Sequence, residues 1–201
     1  SPMQYQEIFQ YWKITDNIYI FCTFIFYILI KYIKMTESLP LFSSNFINQN
    51  LEKKEWIKFR PLNLDDYQKW ICEVLTELTS CETTKEKFEE IFNKILEINS
   101  VEPQYFIVVW EDFQTWEIAV AGSIIIERKF IHDGQCVGHI EDIVVSSKYR
   151  WKWLWEHLIS ILKDIWKKSC YKIILDCEEE KLWFYEKCWF SKKSLWMAKY
   201  F

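Results

Sequence analysis

The stretch His139–Trp155 reads as a strand, a short turn and the first turn of a helix, and it contains no glycine. A strand running into a helix start is a natural place to hold phosphate, because the first helical N–H groups have no intrahelical partner. Those N–H groups reach a phosphate only where no side chain fills the space, which is the usual reason for glycine in such a loop. Here the loop carries Trp151, Trp153 and Trp155. The whole chain has three glycines against twelve tryptophans in 201 residues. At the average usage of about 7%, a chain of this length would hold roughly four times as many glycines. Such a chain has lost most of its usual means of turning tightly.

The length allows one domain plus an extension, and the 50% hydrophobic content is enough for a sizeable core. A net charge of -4 excludes non-specific nucleic-acid binding driven by net charge. The seven cysteines include no C-x-x-C pair, so neither a zinc site nor any other metal site is expected, nor a redox pair. They read as reduced, mostly buried thiols of an intracellular protein.

Residues 1–55 differ in pattern from the rest of the chain and form an N-terminal extension. Ile18 to Ile33 is an apolar run interrupted by Thr23 and Lys31. It is shorter than the ~20 residues of a spanning helix. Three readings stay open: a weak anchor giving membrane contact through 18–33, a packed N-terminal helix, or a working chain that begins at Met35. Residues 36–55 are polar and irregular and read as a linker.

From Trp56 the pattern is regular. Trp56–Leu62 alternates like a strand that stops at Pro61. Asn63 or Asp65 can cap a helix whose apolar positions run from Leu64 to Leu78. Thr83 with Glu86 fits a capping box opening a second helix through Leu96. Strands are expected over Gln104–Glu111, Glu117–Glu127, Cys136–Val145, Tyr171–Cys177 and Phe190–Phe201. Helices are expected over Trp155–Lys168 and Glu180–Cys188. The order is β-α-α-β-β-β-α-β-α-β, an α/β fold with a mixed sheet and helices on both faces.

This order of elements is that of the GNAT acetyltransferase superfamily. Several long words are more specific: Glu127–His132, Gly138–Val145, Ser147–Arg150, Cys170–Cys177 and Phe184–Cys188. With them the chain resembles the eukaryotic glucosamine-6-phosphate N-acetyltransferases over roughly residues 56–201. The resemblance implies a GNAT fold with a mostly antiparallel sheet and acetyl-CoA as co-substrate. It also implies a cytoplasmic homodimer, peripheral to internal membranes if 18–33 anchors it, and a place in the route to UDP-N-acetylglucosamine.

The resemblance further implies roles. Direct attack of a sugar amine on a thioester needs a neutral amine, a polarised carbonyl and a proton donor for the thiolate. Asp176 matches the residue that orients or deprotonates the amine, and Tyr185 the one that stabilises or protonates the thiolate. Glu141 and Asp142 match contacts to the amino sugar. Lying adjacent on a strand, they are expected to point to opposite faces. The words Lys129-Phe130-Ile131-His132 and Tyr171-Lys172 match positions around the sugar phosphate, Thr79 matches another substrate contact, and Arg128 is a supporting candidate. Ile143, Val144 and Val145 match the strand edge that takes the amide-rich pantetheine arm as if it were an extra strand. Arg150, Trp151, Lys152, Trp153, Leu154, Trp155 and Glu156 match the loop that cradles the CoA pyrophosphate.

The chain departs from the pattern at two places. Tyr200 stands where the family has a basic residue that reaches the neighbouring subunit's substrate. The cofactor loop keeps Arg150 and Leu154 of Arg-Gly-x-Gly-Leu-Gly but has tryptophan at each glycine. An indole offers one donor and no charge, so it cannot replace several converging amides. Losing such contacts, each worth about 1.5–3 kcal/mol, weakens acetyl-CoA binding by orders of magnitude. Trp70, Trp116, Trp183, Trp189 and Trp196 also fall where relatives have glycine or another small residue, and Cys81 is of the same kind. So many replacements point to one systematic cause: many of these tryptophans are glycines in the functional protein. Two plainer readings of the loop are an amphipathic stripe, since 151 and 155 are i,i+4, and an interfacial membrane helix.

The expected function is acetyl transfer from acetyl-CoA to the 2-amino group of glucosamine 6-phosphate. The alternatives are a GNAT-like binding protein with a blocked cofactor loop, and an acetyltransferase for another amine.

Overall fold

A computed structural model describes residues 39–48, 58–149, 152–167, 169–195 and 197–200. The apolar run 18–33, the strand start at Trp56, Arg150, Trp151 and Trp196 lie outside the described residues. No described helix is long and apolar enough to cross a membrane.

Five strands form one sheet in chain order: β1 (Phe59–Pro61), β2 (Tyr105–Glu111), β3 (Ile118–Arg128), β4 (Cys136–Val145) and β5 (Cys170–Ile174). The first four pair antiparallel; β4 and β5 pair parallel. The helices are α1 (Ile71–Leu75), α2 (Lys85–Val101), α3 (Lys152–Trp166) and α4 (Leu182–Lys187). Helix α3 spans β4 and β5, as a parallel pair requires. Its core face carries Leu154, Leu158, Ile161 and Leu162, all fully buried. It sits close: a Cβ added to Gly122 on β3 would stand 2.8 Å from Leu158 Cδ2 and 2.5 Å from Ile143 Cδ1. A side chain at 122 would have to push the ends of the Ile143 and Leu158 side chains aside.

Several sequence expectations change. The helix expected from Leu64 to Leu78 is broken. Leu64–Lys69 is 3-10, Trp70 takes a left-handed conformation, and α1 starts after it. The 3-10 segment is pinned by Arg60, whose guanidinium donates to both Asp66 oxygens at 2.8 Å and to Glu111 Oε2 at 2.6 Å. The cap of α2 is Thr84, not Thr83; its Oγ1 accepts from Lys87 N at 3.3 Å. Residues 39–48, read as linker, are packed: Leu41, Phe42 and Ile47 are buried, and Pro40 bridges Asn63. No strand forms over the described part of 190–201. A strand needs a partner for its ladder, and this segment pairs with none of the described strands.

Asn99, 8% exposed near the end of α2, ties the N-terminal segment to the sheet. Its Nδ2 donates to Leu41 O at 3.1 Å and Tyr105 O at 2.8 Å, and its Oδ1 accepts from Gln104 N and Tyr105 N, both at 3.0 Å. Replacing it strands main-chain groups away from water. Asn99→Leu is expected to cost roughly 3 kcal/mol in urea unfolding followed by circular dichroism; a loss below about 1 kcal/mol would show that those groups find other partners.

Candidate active site

Strand β4 pairs with β5 only from Cys136↔Cys170 to His139↔Ile174. Beyond that point β4 continues to Val145, whereas β5 has ended. Residues 140–145 therefore keep a strand edge with no partner among the described strands on the β5 side. Such an edge offers a row of N–H and C=O groups to an extended amide ligand. Ile143, Val144 and Val145 are buried on it.

The same strand carries a bulge. Ala121 pairs with Val144 and Ser123 with Glu141, so β4 has one residue more than β3 in this interval. Asp142 takes φ 53 there. Aspartate is among the few L-residues that tolerate that region. The bulge interrupts the simple alternation that the sequence leads one to expect for Glu141 and Asp142. Ser123 Oγ fixes it by donating to the Glu141 carbonyl at 3.2 Å.

Asp176 follows β5 in the irregular segment 175–178 and is exposed; it does not lie within a strand. It comes into the field of Glu141. Partial burial, then Asp176 and Asp142, push the Glu141 carboxyl above the usual range. Three carboxylates from β4 and the end of β5 thus share one region beside the open edge.

Tyr185 lies on α4, 7% exposed, with its ring edge-on to Phe184 and Phe190. Burial, followed by Cys177, Cys188 and Asp176, pushes its phenol up to about 12. It keeps its proton at neutral pH and stands in the electrostatic reach of Asp176.

The residues matched to the phosphate are partly assembled. The His132 and Tyr171 rings lie 4.1 Å apart, and Lys172 Nζ is 5.5 Å from the Tyr171 ring centroid. Lys129 is bound to Glu127, which also meets His139 Nε2 at 2.9 Å. Arg128 Nε donates to Glu102 at 3.0 Å and is turned towards the end of α2. Phe130 and Ile131 are exposed, as are Thr79, in the turn after α1, and Tyr200.

In the cofactor loop, Arg150 and Trp151 lie outside the described residues. Helix α3 begins at Lys152, three residues earlier than expected. Leu154 is buried in the core and Glu156 is exposed. Trp153 packs edge-on to His157 at 5.9 Å, and Trp155 edge-on to Phe184 at 5.5 Å. Trp155 thereby touches the residue before Tyr185.

Two side chains escape a reading of the sequence. Glu77 accepts from Ser147 N at 2.8 and 2.9 Å and from Ser147 Oγ at 3.1 Å. Asp112 accepts from the Tyr149 hydroxyl. Together they fix Ser147–Tyr149, the segment leading into Arg150. No local pattern marks either one, because the partners are far apart in the chain.

A glucosamine 6-phosphate N-acetyltransferase of Dictyostelium discoideum is 46% identical over 146 residues, which are 72% of this chain and 90% of that protein. One from Arabidopsis thaliana is 42% identical over 149 residues, 73% of this chain and 98% of that protein. The chain belongs to the glucosamine 6-phosphate N-acetyltransferase family. The crystal structure of the Arabidopsis thaliana glucosamine-6-phosphate N-acetyltransferase aligns with a TM-score of 0.68 over 73% of this chain and 99% of that one. No family model matches the chain. As a member of an acetyltransferase family this chain is an acyltransferase, and its fold is the GNAT type that its sequence resembles.

The raised Tyr185 pKa makes a sign-specific prediction. The native state holds this proton more firmly than the unfolded chain, so the effect on stability is absent below pH 10, the ordinary value. Stability falls as pH rises from there towards about 12. Tyr185→Phe is expected to remove that alkaline loss in urea unfolding at a series of pH values; an identical alkaline loss in parent and variant would contradict the buried phenol.

Proposed function

We propose that this chain transfers acetyl from acetyl-CoA to the 2-amino group of glucosamine 6-phosphate by direct attack in a ternary complex. The observation that carries the reading is the open edge of β4 beyond His139, with Asp176 in the electrostatic reach of both Glu141 on that strand and Tyr185 on α4. In this reading the pantetheine arm adds to the edge at Ile143–Val145 as a further strand. The three carboxylates attract the substrate ammonium. They also raise its pKa, so one of them has to take or route its proton. Asp176 is assigned that role because it is exposed. The neutral amine attacks the thioester carbonyl, the tetrahedral adduct expels the thiolate, Tyr185 O–H protonates the sulfur, and the proton lost from the adduct's nitrogen restores the phenol by way of solvent. A phenol that holds its proton to about 12 remains available as an acid at every physiological pH.

His132, Tyr171 and Lys172 are assigned to the sugar phosphate. Lys129 joins them only if it leaves Glu127. The reading includes a homodimer. The exposed C-terminal segment supports it, with Leu195, Met197 and Tyr200 at 89–92% exposure and no strand partner among the described residues. A second reading is favoured by Trp153 and Trp155, whose rings stand at the start of α3: a chain of this fold that binds acetyl-CoA weakly.

The test is thiol release from acetyl-CoA, using protein purified from the cells that make it. Glucosamine 6-phosphate is expected to be acetylated, and unphosphorylated glucosamine to be a poor substrate. Tyr185→Phe and Asp176→Asn are each expected to lower kcat by about 10²–10⁴-fold. Equal rates with and without the phosphate, or an unchanged Tyr185→Phe, would contradict these assignments.

A further inference from the structure

The backbone sorts the tryptophans into kinds. Trp110 is 2% exposed and packs edge-on to Tyr149 at 5.5 Å. Trp166 packs edge-on to Phe106 at 6.0 Å. At these two positions a small residue leaves a void in the core. Trp70, Trp116 and Trp189 are of another kind. Their φ angles are 67, 63 and 68°. This is the left-handed region, where the Cβ of an L-residue crowds the following carbonyl. Among the described residues the other non-glycine positions with positive φ are His132, Asp133 and Asp142, types that are enriched there. For a bulky ring the conformation is an outlier.

At each of the three positions the main-chain hydrogen bonding dictates the conformation. Phe190 N donates to Tyr185 O and Trp189 N to Glu186 O, both at 3.0 Å. That pair of bonds closes α4 as a Schellman motif, whose left-handed residue is usually glycine. Trp70 ends the 3-10 segment, with its N–H on Asp66 O, and α1 starts at the next residue. Trp116 sits in the β2–β3 hairpin, where its N–H donates to Asp112 O at 2.6 Å while Asp112 N donates to Glu117 O at 3.0 Å. A helix end, a helix–helix corner and a hairpin have nothing in common except the need for positive φ. The rings bring little in return at two of them, since Trp189 is 92% exposed and Trp70 54%.

Trp183 lies inside α4, and Trp153 and Trp155 lie inside α3, none with positive φ. Their backbone makes no demand for glycine, so geometry does not extend the argument to them.

We infer that the functional protein carries glycine at positions 70, 116 and 189, and that tryptophan there is a codon which the cells making this protein read as glycine. UGA and UGG each differ from a glycine codon by one base, and the meaning of UGA varies between genetic codes. The inference rests on backbone geometry and is independent of the proposed reaction.

Peptide mass spectrometry of the protein purified from its own cells reads the three positions directly. Glycine is the expected residue at each, and tryptophan at any of them overturns the inference for that position. Melting temperatures test the backbone argument separately. Trp70→Gly, Trp116→Gly and Trp189→Gly are each expected to raise Tm by about 2–4 °C. Trp189→Ala, which keeps the Cβ, is expected to gain less than half as much. Trp166→Gly and Trp183→Gly, at helix positions, are expected to lower Tm. Glycine variants no more stable than their alanine counterparts would overturn the account of these sites.

Discussion

The parting of β4 and β5 beyond His139 and Ile174 is the constraint on which the site depends. While they run together, the two strands satisfy one another's main-chain groups. Once β5 stops, Ile140, Glu141, Val144 and Val145 keep register partners on β3, and none of the described strands lies on the other side. The bulge at Asp142 falls in this same interval, opposite Gly122, against which Ile143 and Leu158 pack closely. The segment after β5 brings Asp176 to the opening, and α4 brings Tyr185.

The charges there work in two directions. In the proposed reaction Glu141, Asp142 and Asp176 favour an incoming ammonium and also raise its pKa. Partial burial, with Asp176 and Asp142 nearby, pushes the Glu141 carboxyl up. Tyr185 is pushed the same way by burial and by Asp176, which keeps it an acid. In the proposed reaction a phenol that holds its proton serves the departing thiolate and the carboxylates serve the arriving amine, so that one proton moves from nitrogen to sulfur. Segment Ser147–Tyr149 is tied by Glu77 and Asp112.

Most of the strands are legible in the sequence because their apolar runs are long and bounded by turns; Cys136–Val145 coincides with β4. The candidate residues can be named from the sequence, but not how they meet. Nothing local in Glu141-Asp142 announces a bulge, since that depends on register against β3. The break at Trp70 is hidden because apolar spacing continues through it, and only the left-handed backbone reveals two short helices. The pairing of Lys129 with Glu127 and of Arg128 with Glu102 depends on where strand ends fall, which spacing does not encode. The strand expected at the C-terminal end fails for a simpler reason: alternation describes a segment able to pair, and pairing also requires an available partner.

The central claim is that the β4 edge beyond His139 receives the acyl carrier. A crystal structure with acetyl-CoA bound tests it most directly. The pantetheine amides are predicted to hydrogen-bond the main chain at Ile143–Val145, with the thioester sulfur within hydrogen-bond reach of the Tyr185 hydroxyl. Acetyl-CoA bound elsewhere, or a sulfur out of reach of Tyr185, would contradict the account.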